Sequence, residues 1–144
     1  MATSIQIVFD CAHPDRMARF WAAALGYKLQ DPPPGFSTWD AFLEAQGVPR
    51  ERWDAASAIV DPKGVLPRIF FQKVPEGKSV KNRVHLDLNV GGGRGTPMDE
   101  RKQRIGAEIQ RLQPLGARQG RVVEESGEYC VNMFDVEGNE FDLQ

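Results

Sequence analysis

Histidine and cysteine are scarce in this chain, two of each among 144 residues. Cys11 and Cys130 stand far apart and form no Cys-x-x-Cys or Cys/His cluster, which argues against a structural zinc site. Both are expected to be reduced and buried, as unpaired cysteine usually is. No long run of one charge occurs either: 18 basic residues against 20 acidic ones leave a net charge of -2. Electrostatics thus gives no reason to expect nucleic acid or an anionic membrane as partner. No stretch approaches the roughly 20 apolar residues of a membrane span, and Met1 to Gln6 has neither the basic nor the apolar region of a signal peptide. A soluble, cytoplasmic protein is the expectation. Also missing are a GxSxG motif, a Ser/His/Asp order and a cysteine beside a histidine, so nucleophilic hydrolase chemistry is not expected. Gly91-Gly-Gly-Arg-Gly95 lacks both the GxGxxG register and a GK[ST] ending, and no nucleotide cofactor is expected.

What the chain does contain is periodic. Ile5 to Asp10 is β-branched and apolar and reads as a strand, with Gln6, Val8 and Asp10 on one face. Pro14 and Asp15 suit a first helical turn, and Met17, Phe20, Trp21, Ala24 and Leu25 follow at the spacing of a buried helical stripe that Gly26 ends. A short strand over 27–30 runs into Asp31-Pro-Pro-Pro-Gly35. Residues 35–57, with Trp39, Phe42, Leu43 and Trp53, read as an inserted flap packed by its own aromatics or as ordinary core filling. Ala58 to Val60 enters a turn at Asp61-Pro-Lys-Gly64, and Arg68 to Val74 is the return strand.

The second half repeats this order. Arg83 to Val90 alternates throughout, with Val84, Leu86, Leu88 and Val90 on one face and Arg83, His85, Asp87 and Asn89 on the other. Thr96-Pro97 opens a helix, with Asp99 at the capping-box position and Ile105, Ile109 and Leu112 as its apolar stripe. Pro114 places the end of that helix near Gln113. Val122-Val123, Tyr129 to Phe134 and Phe141 to Leu143 read as three strands. The layout is an α+β fold of two βαβββ modules, about 4–75 and 82–144, within a single domain of 1–144. A length of 144 residues allows roughly 70% of the unfolded surface to be buried.

The residues that carry a family likeness are Phe9-Asp-Cys-Ala-His-Pro-Asp15, Phe20-Trp21 with Leu25-Gly26-Tyr27, Lys81-Asn-Arg-Val-His-Leu-Asp87, Leu115-Gly116-Ala117 and Phe134-Asp-Val-Glu-Gly-Asn-Glu-Phe141. Together they resemble the glyoxalase/bleomycin-resistance/dioxygenase, or vicinal oxygen chelate, superfamily. The branch they look most like is the glyoxalase-like domain proteins of actinobacteria. The resemblance implies that the two modules form a cupped mixed sheet holding a small molecule, and it leaves a homodimer open. It also implies four inward side chains that bind a divalent metal in the metal-dependent members. Carried over by position these are Gln6, Gln72, His85 and Asp142.

Two functions remain open at this stage. In the first, a lyase or isomerase acts on a small oxygen-rich substrate, with His85 and Asp142 catalytic and with or without a divalent metal. In the second, a metal-free protein of the bleomycin-resistance type sequesters its ligand. Two carboxamides with one imidazole and one carboxylate make a weak metal trap, because the second positive charge of the ion stays uncompensated. Arg83 and Asp87 share the face of His85 and are candidate substrate-binding residues. Trp39, Trp53 and Phe71 are candidates to roof the pocket.

Overall fold

A computed structural model describes residues 1–144 and divides them into two compact units, Met1–Gly77 and Lys78–Gln144. The first contains β1 (Ile7–Cys11), α1 (Pro14–Leu25), β2 (Lys28–Leu29), α2 (Trp39–Ala45), β3 (Ala56–Val60) and β4 (Ile69–Lys73). The second contains β5 (Leu86–Leu88), α3 (Met98–Leu112), β6 (Arg118–Glu125), β7 (Glu128–Phe134) and β8 (Glu140–Leu143). Each unit carries a four-stranded mixed sheet, ordered β1-β4-β3-β2 in one and β5-β8-β7-β6 in the other. In both, the first strand runs parallel to the last and the remaining pairs are antiparallel. The α+β class and the βαβββ order of each half are as expected. No helix is long and apolar enough to cross a membrane.

In the first unit α1 lies on β3 and β4. Phe20 and Trp21, three and four residues beyond Met17, are buried with it on the inner stripe. Trp21 stacks tilted on Phe9 at 5.2 Å, and Phe9 stacks on Phe71 at 5.5 Å. The expected placement of Phe71 as a pocket roof is therefore overturned: its side chain is fully buried on the core face, and Phe70 takes the open face. Between β2 and β3 sits the flap, with α2 and a 3-10 turn at Arg50–Arg52. Its tryptophans are satisfied locally. Trp39 Nε1 donates to the Gln30 carbonyl and Trp53 Nε1 to the Val48 carbonyl, each at 2.8 Å, while Phe42 packs edge-on against both Phe36 and Trp39.

In the second unit Ile105, Ile109 and Leu112 of α3 are buried as their spacing predicts, with Val131, Met133, Phe141 and Leu143 from β7 and β8 completing the core. Two expectations fail. The strand expected over 83–90 is paired only at Leu86–Leu88, and Val84 is exposed. Thr96 does not cap α3; its hydroxyl donates to the Gly92 carbonyl, and Pro97 stands at the N-cap position without a side-chain cap.

The helical segments of the two units end on glycines in the left-handed region, Gly26 (φ 70°) and Gly116 (φ 109°). A Cβ at Gly26 would meet nothing within 4 Å, whereas one at Gly116 would lie 2.6 Å from Val136 Cγ1. Gly26→Ala should thus cost about 1–2 kcal/mol, the usual penalty for a left-handed L-residue. Gly116→Ala adds overpacking and should lose about 1–3 kcal/mol more, read as a lower urea midpoint than that of Gly26→Ala.

Candidate functional site

The site is built on β5 and β8. Because Phe141 and Leu143 are wholly buried on the core side, strand alternation turns Asp142 to the opposite, open face. The parallel register then seats Asp87 directly beside Asp142. His85 lies just before β5, with its Nε2 3.3 Å from Asp87 Oδ1 and 3.5 Å from Asp142 Oδ2. Asp142 is the most enclosed of the three, with 22% of its side chain exposed against 40% for His85 and 44% for Asp87. The three donor atoms all fall within 4.8 Å of one another.

Neighbouring residues hold this arrangement. Asn132, opposite Asp142 in the β7–β8 pair, donates from Nδ2 to Asp142 Oδ1 at 3.0 Å. Room for that carboxamide comes from Gly120, at a register shift in the β6–β7 pair. A Cβ there would lie 2.6 Å from Asn132 Oδ1 and 3.0 Å from Phe134. The approach to His85 is tied down by Glu140, which accepts from the Asn82 N–H at 2.9 Å and pairs with Lys78 at 3.2 Å. Burial alone would raise the Glu140 carboxyl, yet the Asn82 N–H and Lys78 hold it below its ordinary value. Cys130 is half-buried on the same strand face as Asn132. Burial pushes its thiol up, and Asp142 and Asp87 push it further.

The residues named from sequence separate clearly. His85, Asp142 and Asp87 come together, so Asp87 joins the donor set for which only one carboxylate was expected. Arg83 is exposed and pairs with none of them. Gln6 and Gln72 do not form one site within their own sheet. Gln72 faces Asp10, four residues beyond Gln6, which is about 13 Å along the strand at ~3.3 Å per residue. Gln6 Oε1 already accepts from Arg68 Nη1 at 2.6 Å. Moreover, the step that leads from His85 through Asp87 to Asp142 leads in the first unit from Gln6 through Val8 to Phe70, not to Gln72. The first module therefore has an aromatic ring where the second has a carboxylate. Trp39 and Trp53 belong to the flap, engaged as described above.

One neutral imidazole with two carboxylates carries the charge that balances a divalent ion, and imidazole with hard oxygen donors suits Mn²⁺, Fe²⁺ or Zn²⁺. The short separations among the three donors and the hydrogen bond that orients Asp142 are what a cation site needs, so the residues fit the group.

A profile of the glyoxalase-like domain matches residues 6–144. The chain belongs to the glyoxalase-like domain family. Solved structures share the fold of this glyoxalase-like chain at low identity. One is a mutant fosfomycin resistance protein, FosX, from Listeria monocytogenes, complexed with Mn(II) and dihydroxypropylphosphonic acid. It is 9% identical with a TM-score of 0.64, covering 100% of this chain and 93% of that one. A possible glyoxalase from Bacillus cereus is 12% identical with a TM-score of 0.61, covering 99% of each chain. A glyoxalase/bleomycin resistance protein/dioxygenase family enzyme from Burkholderia phytofirmans is 12% identical with a TM-score of 0.58, covering 96% and 94%. No curated protein matches this glyoxalase-like chain in sequence.

The Cys130 thiol reports on the cluster. Removing one negative charge in Asp142→Asn should shift the pH profile of Cys130 alkylation to lower pH, because the carboxylate is one of the groups that raise the thiol. Cys11, 4% exposed, should stay unmodified in the folded protein at every pH used.

Proposed function

We propose that this glyoxalase-like protein binds a small oxygen-rich molecule over the open face of β5 and β8 and acts on it as a lyase or isomerase. The single observation that supports the reading is the convergence of His85, Asp87 and Asp142. In this reading the three side chains hold a divalent cation, which when bound would polarise a substrate oxygen. Asp142 is kept in place by Asn132, and Asp87 by its seat in the parallel pair. Without a cation the lone pair of His85 Nε2 is free, and this nitrogen is then the group placed to take or return a proton on a substrate resting on this face.

One observation favours a second reading, metal-free sequestration of the ligand. The position in the first module that matches Asp142 is Phe70, so that half contributes no carboxylate at the corresponding place. The same open face would then recognise its ligand by hydrogen bonds alone.

Calorimetric titration of chelator-treated protein with Mn²⁺, Zn²⁺, Ni²⁺ and Fe²⁺ separates the two. Under the first reading one equivalent binds, His85→Ala and Asp142→Asn abolish the heat, and Asn132→Ala weakens binding about 10–100-fold, as loss of an orienting partner does. Absence of binding by all four ions in the wild type would retire the cation and favour sequestration.

A further inference from the structure

Arg68, the residue before β4, differs from the ion-paired arginines of this chain in how its charge is met. Arg19, Arg94, Arg101, Arg104 and Arg111 all face carboxylates. Arg68 faces none. Its Nε donates to Gln30 Oε1 and its Nη1 to Gln6 Oε1, each at 2.6 Å, and its guanidinium carbon lies 5.3 Å from the centre of the Phe70 ring. Two neutral carboxamides and an aromatic face fix the plane of the guanidinium without cancelling its charge, and Nη2 has no protein partner.

Position reinforces the point. Arg68 is anchored through its own backbone, since its carbonyl accepts from the Ile7 N–H at 3.1 Å. Of the nearby carboxylates, Asp10 is four residues beyond Gln6 and thus about 13 Å away along the strand, Asp31 is paired with Lys28, and Asp61 is taken up by the Lys63, Val65 and Leu66 N–H groups. Two residues along from Arg68 the strands present Phe70 opposite Val8, a residue that is 49% exposed. A fixed, uncompensated guanidinium next to exposed apolar surface is the chemistry that recognises an oxyanion attached to an apolar body.

We infer that Arg68, oriented by Gln6 and Gln30, is the anchor of an anion-binding site on the open face of the first sheet, for a small molecule with a carboxylate or phosphoryl group and an apolar part that lies against Val8. No residue of the His85 cluster takes part, so this site stands or falls apart from the cation reading.

The test is an NMR titration of full-length, chelator-treated protein, following the Arg68 Nε–H resonance. The probes are phenylphosphonate, benzoate and inorganic phosphate, with benzyl alcohol as the neutral control. Saturable shifts with the aromatic anions, weaker ones with phosphate and none with benzyl alcohol are expected. Phenylphosphonate ahead of benzoate assigns a phosphoryl ligand, and the reverse order a carboxylate. Arg68→Gln should lose at least ~10-fold in affinity, read from the amides of β1 and β4. The decisive variant is Gln30→Glu, which keeps the link between strands but gives Arg68 an internal carboxylate. It should leave the urea midpoint unchanged or higher while anion affinity drops at least ~10-fold. If no anion shifts the Arg68 resonance, if benzyl alcohol binds as well as benzoate, or if Gln30→Glu binds anions like the wild type, Arg68 is a structural staple and the site does not exist.

Discussion

Two like charges set side by side govern the second unit. The parallel pairing of β5 with β8 puts Asp87 beside Asp142, an arrangement that is destabilising on a sheet unless something positive or hydrogen-bonding meets it. The core leaves no alternative, because a shift of one residue in β8 would bring Phe141 and Leu143 out of the interior. The repulsion is relieved locally by the Asn132 carboxamide, and partial exposure of both carboxylates lowers its cost further. Gly120 and the Glu140 anchor help keep that acidic pair in place, and the Cys130 thiol beside it is raised first by burial and then by the pair.

The two halves share one supersecondary plan but carry opposite chemistry on their open faces. The second concentrates carboxylates and a histidine. The first sets a guanidinium among carboxamides beside valine and phenylalanine. Sharing an architecture therefore says little about what each half binds, and the positions that match by register need not match in kind.

Much of this was legible in the sequence. The α1 and α3 stripes, the stop at Gly26 and the repeated order of elements all come from periods that local chemistry enforces. The choice of face was less accessible where apolar residues run together. In Ile69-Phe-Phe-Gln72 nothing in the pattern says which phenylalanine is inside, and only the pairing of Phe71 with Phe9 decides it. The fourth ligand position went to Gln72 for another reason, as the nearest polar residue of that strand, whereas the register puts the aromatic Phe70 at the matching place. The alternation of 83–90 outruns the strand for a different reason: a strand extends only as far as its partner, and β8 has four residues. Asp87 was visible as a polar-face residue, but its adjacency to Asp142 is a matter of long-range register.

The flap between β2 and β3 hangs from a strand of two residues, yet its Trp39 is bonded to the Gln30 carbonyl while the Gln30 side chain grips Arg68. An insertion of this kind can lengthen, shorten or change composition over evolutionary time without disturbing the core beneath α1, because its aromatics are satisfied among themselves. One of its tethers runs to the residue that orients the arginine, while others run to β4, where Lys73 pairs with Asp54 and its N–H donates to the Ala55 carbonyl. Drift in the flap would thus be transmitted through Gln30 to the open face of the first sheet, which makes this segment a place where related chains can diverge around Arg68 while keeping the same scaffold.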